Sequence, residues 1–312
     1  MSATKLTFVQ GGILGRDSYA DLLDKSMDVV VNRASRVPVQ SAQFFTTDRA
    51  STMTHKRTEV GNVLDLPVKS EDTDDMPRVQ PAPGYDKSFT LVNYRSSIEV
   101  TRTLVETDQK GKIRFMMSGL MDSVRRKVEY MLSNVVIDGP STAGADGSYL
   151  FADDHYYADA AHGTWSNSET SALLTSAAVS TMRTNMRKRK NEKGMVSPIK
   201  LKRLVVPPAL QRKADQIVGS SKVPEDSLNA EQALPDLSVV TWDYLTSDDA
   251  WYGWGDLDEA LWGLVYVVRV APNIAPLSGG DTSTDVIWGR RVRFSVAAGG
   301  TVVRNMHYNQ GT

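Results

Sequence analysis

The sequence predicts an α+β protein built on one long helix, and three observations lead there. Lys112 to Val135 carries apolar residues at Ile113, Met116, Met117, Leu120, Met121, Val124, Val128, Met131, Leu132 and Val135. That recurrence every three to four residues is one face of a helix. Ile287 to Val296 and Val92 to Leu104 alternate apolar with polar or charged residues, the period of half-buried strands. Leu261 to Val270 is a continuous apolar run of the kind that lies buried on both faces.

The long helix comes first. At roughly 1.5 Å per residue it is a rod on the order of 35 Å, the width of a domain, so it must pack along most of its length. Ile113, Met117, Leu120, Val124, Val128 and Met131 are its expected core-facing residues, and Arg114, Asp122, Arg125, Arg126, Lys127 and Glu129 its outer face.

Before it, Asp17 to Asn32 reads as a short amphipathic helix between tethers without periodicity, hence an arm. From Asp48 to Thr107 the pattern is a long two-stranded excursion: outgoing at Ala50 to Leu64, returning at Val92 to Leu104. The Pro-rich, acidic stretch Asp65 to Lys87 lies between them as loop. A lone hairpin is marginal in water and needs a surface to lie on. Its candidate surface-seeking residues are Val60, Val92, Tyr94, Ile98 and Val100.

After the long helix, Asp138 to Asp146 is a break and Tyr149 to Asn167 a loop rich in Gly, Asp and aromatics. Leu173 to Lys188 is a second amphipathic helix, closed by Arg187, Lys188, Arg189 and Lys190, then Gly194. Leu201 to Val206 is a strand, and Pro207 and Pro208 start a helix ending near Gly219. Leu237 to Trp242 and Thr301 to Arg304 complete the strands.

Composition narrows the function. The 312 residues suffice for one large domain or two modest ones with a real core. Lys plus Arg (36) nearly balances Asp plus Glu (37), so no global basic field exists to drive sequence-independent nucleic-acid binding. Near-neutrality also lowers the barrier to self-association. With no cysteine, disulfides, thiol nucleophiles and thiolate metal sites are excluded, as fits a reducing compartment. No apolar run reaches the roughly 18 residues of a membrane span, and nothing near Met1 reads as an export signal. The expectation is a soluble protein.

Chemistry was sought in the motifs. Asp153, Asp154, His155, Asp159 and His162 form the best candidate cluster, since imidazoles and carboxylates can ligate a divalent metal. Their spacing fits no helix-borne metal site, and a turn held by side-chain to backbone bonds is the favoured reading. Glu71 to Asp75 lacks the alternation and the glycine of a calcium loop. No phosphate-cradling glycine loop occurs, so no cofactor is expected.

The order of elements, arm, hairpin, long helix and a mixed lobe with a strand-Pro-Pro-helix unit, resembles the major capsid proteins of tailed bacteriophages. Their fold is the Hong Kong 97-type capsid fold. The likeness is carried by Ile98 to Asp108 (IEVTRTLVETD), Leu150 and Phe151 with Asp154 and His155, Leu204 to Leu210 (LVVPPAL), and Ala250, Trp251 and Tyr252. It implies an N-terminal arm (1–47), an extended β-hairpin loop (48–107) and a peripheral domain with the spine helix (108–200). An α/β axial domain (mostly 201–285) and C-terminal strands returning to the peripheral domain (286–312) follow.

The implied function is a non-enzymatic subunit that self-assembles as hexamers and pentamers into an icosahedral shell around double-stranded DNA. Assembly would take place in the host bacterial cytoplasm, the product would be a virion capsid, and no membrane is involved. Portal, scaffolding or decoration proteins are the implied partners. The fold is shared with encapsulin-like nanocompartment shells, which stand as an alternative. A metal-dependent hydrolase using His155 and His162 is the alternative of another class.

Arg187, Lys188, Arg189 and Lys190 could face packaged DNA, although a solvated helix end is the favoured reading, and Arg290, Arg291 and Arg293 form a second basic group. A Lys to Asn crosslink, found in some members of the family, has Lys56, Lys69 and Lys87 as loop candidates. Trp242, Trp251, Trp254, Trp262 and Trp288 are expected in the core, some at subunit contacts.

Overall fold

A computed structural model describes residues 40–60, 83–101, 112–157, 163–170, 172–190, 194–220, 237–256, 263–276 and 286–311. The expected arm helix, the acidic run at 71–75, Lys69, Asp159, His162 and Trp262 lie outside these residues. The architecture is α+β. In chain order the strands and helices are β1 (Thr46–Arg49), β2 (Thr54–Val60), β3 (Pro83–Thr90), β4 (Val92–Thr101), α1 (Lys112–Ile137), β5 (His155–Tyr156), β6 (Thr164–Trp165) and β7 (Ser168–Glu169). There follow α2 (Ser176–Arg187), β8 (Lys200–Val206), α3 (Gln211–Gly219), β9 (Ser238–Thr241), β10 (Trp251–Asp256), β11 (Leu264–Pro276), β12 (Val286–Gly300) and β13 (Met306–Asn309).

The chain divides into two compact units. Among described residues the first takes Asn93–Arg126 and Val270–Phe294. In it Val100, Val292 and Phe294 are buried, and Tyr94 stacks on Phe294 with ring centroids 4.9 Å apart. Leu120, Met121 and Val124 of α1 are buried here too.

The second unit holds the remaining described residues and most of the core. Its part of α1 buries Val128, Leu132 and Val136, continuing the four-residue spacing of Leu120 and Val124. Met131 is half-buried, and the side chains of Ile113 and Met117 lie outside the described set. Glu129, assigned to the outer face by its charge, is instead buried at 3% exposure. Its carboxylate accepts the Ser41 backbone N–H at 3.1 and 3.3 Å, satisfying a free donor at the start of the 3₁₀ turn Gln40–Phe44.

A five-stranded sheet in the order β7-β13-β10-β8-β9 carries the main core. Val179, Met182 and Met186 of α2, whose Thr175 side chain caps the helix by accepting from Ala178 N, pack with Ile199, Leu201, Leu204 and Trp251. The two glycines of β10 make this contact possible. A Cβ at 253 would run into Met182 and Leu201, and one at 255 into Ile199 and Met186. Phe44 lies 5.4 Å from Trp242 and 5.2 Å from Trp254, ring centre to ring centre.

The second sheet has the order β1-β11-β12-β4, with β1 parallel to β11. This corrects the expected hairpin. The strand that returns to β2 is β3, in a register from Thr54 opposite Thr90 to Val60 opposite Pro83. The alternating stretch read as returning, Val92 onward, is β4 beside β12. Alternation marks a strand with one covered face and carries no address for its partner.

The hairpin base is fastened within its own unit. Phe89 and Leu91 are buried with Val265, Val267 and Ala297. Lys87 Nζ donates to the carbonyls of Ala143 at 2.8 Å and Gly144 at 3.0 Å, while Lys56 pairs with Asp86 at 2.7 Å. Thr301 to Arg304, expected as a strand, is a buried bend, and the ladder forms at Met306–Asn309 instead.

Candidate functional site

The richest polar constellation lies entirely in the second unit, around β5, β6, the end of α2 and β13. β5 and β6 are a two-residue ribbon in which His155 stands directly opposite Trp165. Opposed residues on one face of a ribbon touch, and these two rings stack at 4.4 Å with 16° between their planes.

His155 is fully buried, and both its ring nitrogens are occupied. Nδ1 meets Asp146 Oδ2 at 2.6 Å, and Nε2 meets Asn167 Oδ1 at 3.0 Å. The Asn167 amide is oriented by its other bonds: its Nδ2 donates to Leu150 O and Val303 O, both at 2.8 Å, and its Oδ1 also accepts from Ala152 N at 2.9 Å. Both ring nitrogens are thus engaged by side chains of the same unit. Fully buried and with both nitrogens engaged by Asp146 and Asn167, His155 presents no ring nitrogen to a metal ion or a substrate here. That removes it from the two-histidine hydrolase site, and His162 lies outside the described residues. The segment is a bend at Asp153 that leads into β5 at His155, and the His155 ring is held by the side chains of Asp146 and Asn167 rather than by the side-chain to backbone bonds expected of a turn.

On the other side of this node, Arg189 and Arg304 place their guanidinium carbons 5.4 and 5.3 Å from the Trp165 ring centre. Arg189 is 5% exposed and donates to Arg304 O, to Ser166 O at 3.5 Å and to His307 Nδ1 at 2.9 Å. Burial, and then the nearby charge of Arg304, pulls its pKa down to about 9. His307 Nδ1 accepts, so its proton sits on Nε2, and burial followed by the Arg189 charge lowers its pKa to about 3. A cleft of about 370 Å³ opens beside them, lined also by Lys188, Lys190, Glu169 and Asn185.

The four basic residues expected to act together are thus split. Arg187, Lys188 and Lys190 are exposed, whereas Arg189 is structural and cannot face DNA. In the second basic group Arg290 is buried and Arg291 and Arg293 are exposed. Among the hairpin candidates Val92 is half-exposed, Ile98 half-buried, and Tyr94 and Val100 are engaged within their own unit. The Val60 side chain lies outside the described set. Asn167, Arg189 and His307 were not legible as a site. Arg189 and His307 stand 118 positions apart, and only the pairing of β13 with β7 and β10 brings them together.

Comparison with known proteins follows from this geometry. The family described as phage capsid protein matches residues 84–304. Among solved structures, one from Mycobacterium phage Bobi is 10% identical and superposes with a TM-score of 0.53, covering 96% of this chain and 98% of its own. One from Microbacterium phage Oxtober96 is 12% identical with a TM-score of 0.51, covering 87% and 90%. The bacteriophage JBD30 capsid is 14% identical with a TM-score of 0.54, covering 68% and 92%. At such identities the likeness is one of fold. No curated protein matches the chain.

Proposed function

Since this chain belongs to the phage capsid protein family, we propose that many copies of it close into an icosahedral head around double-stranded DNA. The observation that carries this reading is the family match over residues 84–304, supported by a fold shared with phage capsid structures along nearly its whole length. It is a structural protein, and its mechanism is interfacial. The hairpin β2–β3 has its base tied to its own unit, and the segment that joins its two strands is assigned to lie over a neighbouring copy. The segment before Gln40 reaches along another copy, and the lobe built from β8, α3, β9 and β10 meets its equivalents around the five- and six-fold positions. Individually modest contacts repeated around a closed lattice give a stable container.

In this arrangement Arg187, Lys188 and Lys190 are the exposed cations available to phosphate on the inner surface, a sequence-independent contact. Val92 and the strand region around Val60 are the apolar positions assigned to subunit contacts. Portal, scaffolding or decoration proteins would be its further partners, and assembly would take place in the host bacterial cytoplasm.

Negative-stain microscopy and sedimentation of the purified chain test the proposal. Closed shells, or rings of five or six subunits, are expected. A particle that stays monomeric across protein and salt concentration would end the shell reading.

A further inference from the structure

The cleft beside the end of α2 has properties that shell formation does not use. Arg189 is buried, and among the described residues no carboxylate lies within ion-pair range of it. A buried charge without a counter-charge is costly, and proteins ordinarily supply one. Three donors at the same place lack acceptors: Arg189 Nε, Trp165 Nε1 and His307 Nε2. His307 Nε2 carries a proton because Nδ1 accepts from Arg189. All three residues line the cleft, and so do the exposed Lys188 and Lys190. The one carboxylate among the lining residues, Glu169, is engaged by the Asn185 amide at 3.0 Å.

Among the described lining residues three cations stand against one engaged carboxylate, a balance that favours an anion. A metal ion would be repelled, and a neutral ligand would leave the Arg189 charge uncompensated. Size narrows the choice further. The cleft holds about 370 Å³, and the buried Arg189 is part of its lining. A duplex is a rod about twenty ångströms wide, on the order of the groove dimensions it carries, and does not enter so small a space.

We propose that this cleft binds a small free oxyanion of the phosphate type, drawn by Lys188 and Lys190 at its mouth and by the buried charge of Arg189 beneath them. The proposal is independent of the shell reading and holds for the dissolved subunit.

Calorimetric titration of the full chain at pH 7.5 with inorganic phosphate, ionic strength balanced by chloride, tests it. Saturable binding is expected, weakened by up to about fivefold for each lysine removed in Lys188→Gln/Lys190→Gln, since exposed charge pairs act at that scale. Both lysines are exposed, so the variant keeps its fold, which its melting curve checks. Absence of saturable heat with phosphate, or equal affinity in the variant, overturns the proposal. Parallel titrations with hexaglutamate and a short DNA duplex separate the sources: binding of either where phosphate gives none overturns the free-oxyanion assignment in favour of that polymer.

Discussion

Asp146 and His155 meet at 2.6 Å with both side chains wholly withdrawn from water. The pair is held on its far side by Asn167, whose own bonds leave it no way to offer a lone-pair acceptor for anything else. Removing one member of such a pair leaves the other buried and uncompensated. His155→Ala is expected to cost about 3–5 kcal/mol, read as a lower urea midpoint of the dissociated subunit, with Asp146→Ala falling in the same range.

His307 makes stability depend on pH. Its folded pKa, lowered to about 3, lies below the 6.5 of the unfolded chain, so the unfolded state binds the extra proton first. The stability this contributes is complete above pH 6.5 and is lost as pH falls toward about 3. The slope is at most about 1.4 kcal/mol per pH unit for one proton. Urea midpoints measured between pH 7.5 and 4.5 should fall more steeply for the native chain than for His307→Gln, which keeps an acceptor for Arg189 but takes up no proton.

Gly253 faces Met182 and Leu201 with no room for a methyl group. Gly253→Ala should destabilise the subunit by about 1–3 kcal/mol through overpacking. In a double-mutant cycle with Met182→Ala, part of that loss should return, because the second change vacates the space the first one needs.

Lys87 ties the hairpin to the carbonyls of Ala143 and Gly144 at the surface. Lys87→Ala should lower stability by only about 1 kcal/mol. Amide exchange in β2 and β3 should speed up selectively, while β8 and β10 stay protected. Uniform exchange across both regions would place the anchor elsewhere.

How much of this was readable from residues alone differs by the range of the interaction. The helix Lys112–Ile137 was legible almost to its ends, because periodicity is local and Leu120, Val124, Val128 and Leu132 repeat without interruption. Glu129 was misplaced because charge argued for solvent, and only the Ser41 N–H, 88 positions away, makes burial tolerable. β10 was missed as a strand. Its Trp-Tyr-Gly-Trp-Gly sequence lacks alternation, and the glycines are there for α2, a tertiary reason invisible to a window.

The site was the least legible part. His155 stood out by type, but its place in β5 opposite Trp165 was not read. Nothing local distinguished Arg189 from Lys188 or Lys190, and burial, set by Trp165 and His307, decides its different role.

β13 lies inside its sheet, between β7 and β10, although it is the last strand made. The sheet therefore cannot knit until Met306–Asn309 has emerged from the ribosome, and β1 likewise waits more than two hundred residues for β11. Closure of both sheets is thus paced by pairings between distant stretches of chain, the slow kind, and a partly folded copy keeps unpaired strand edges until they are made.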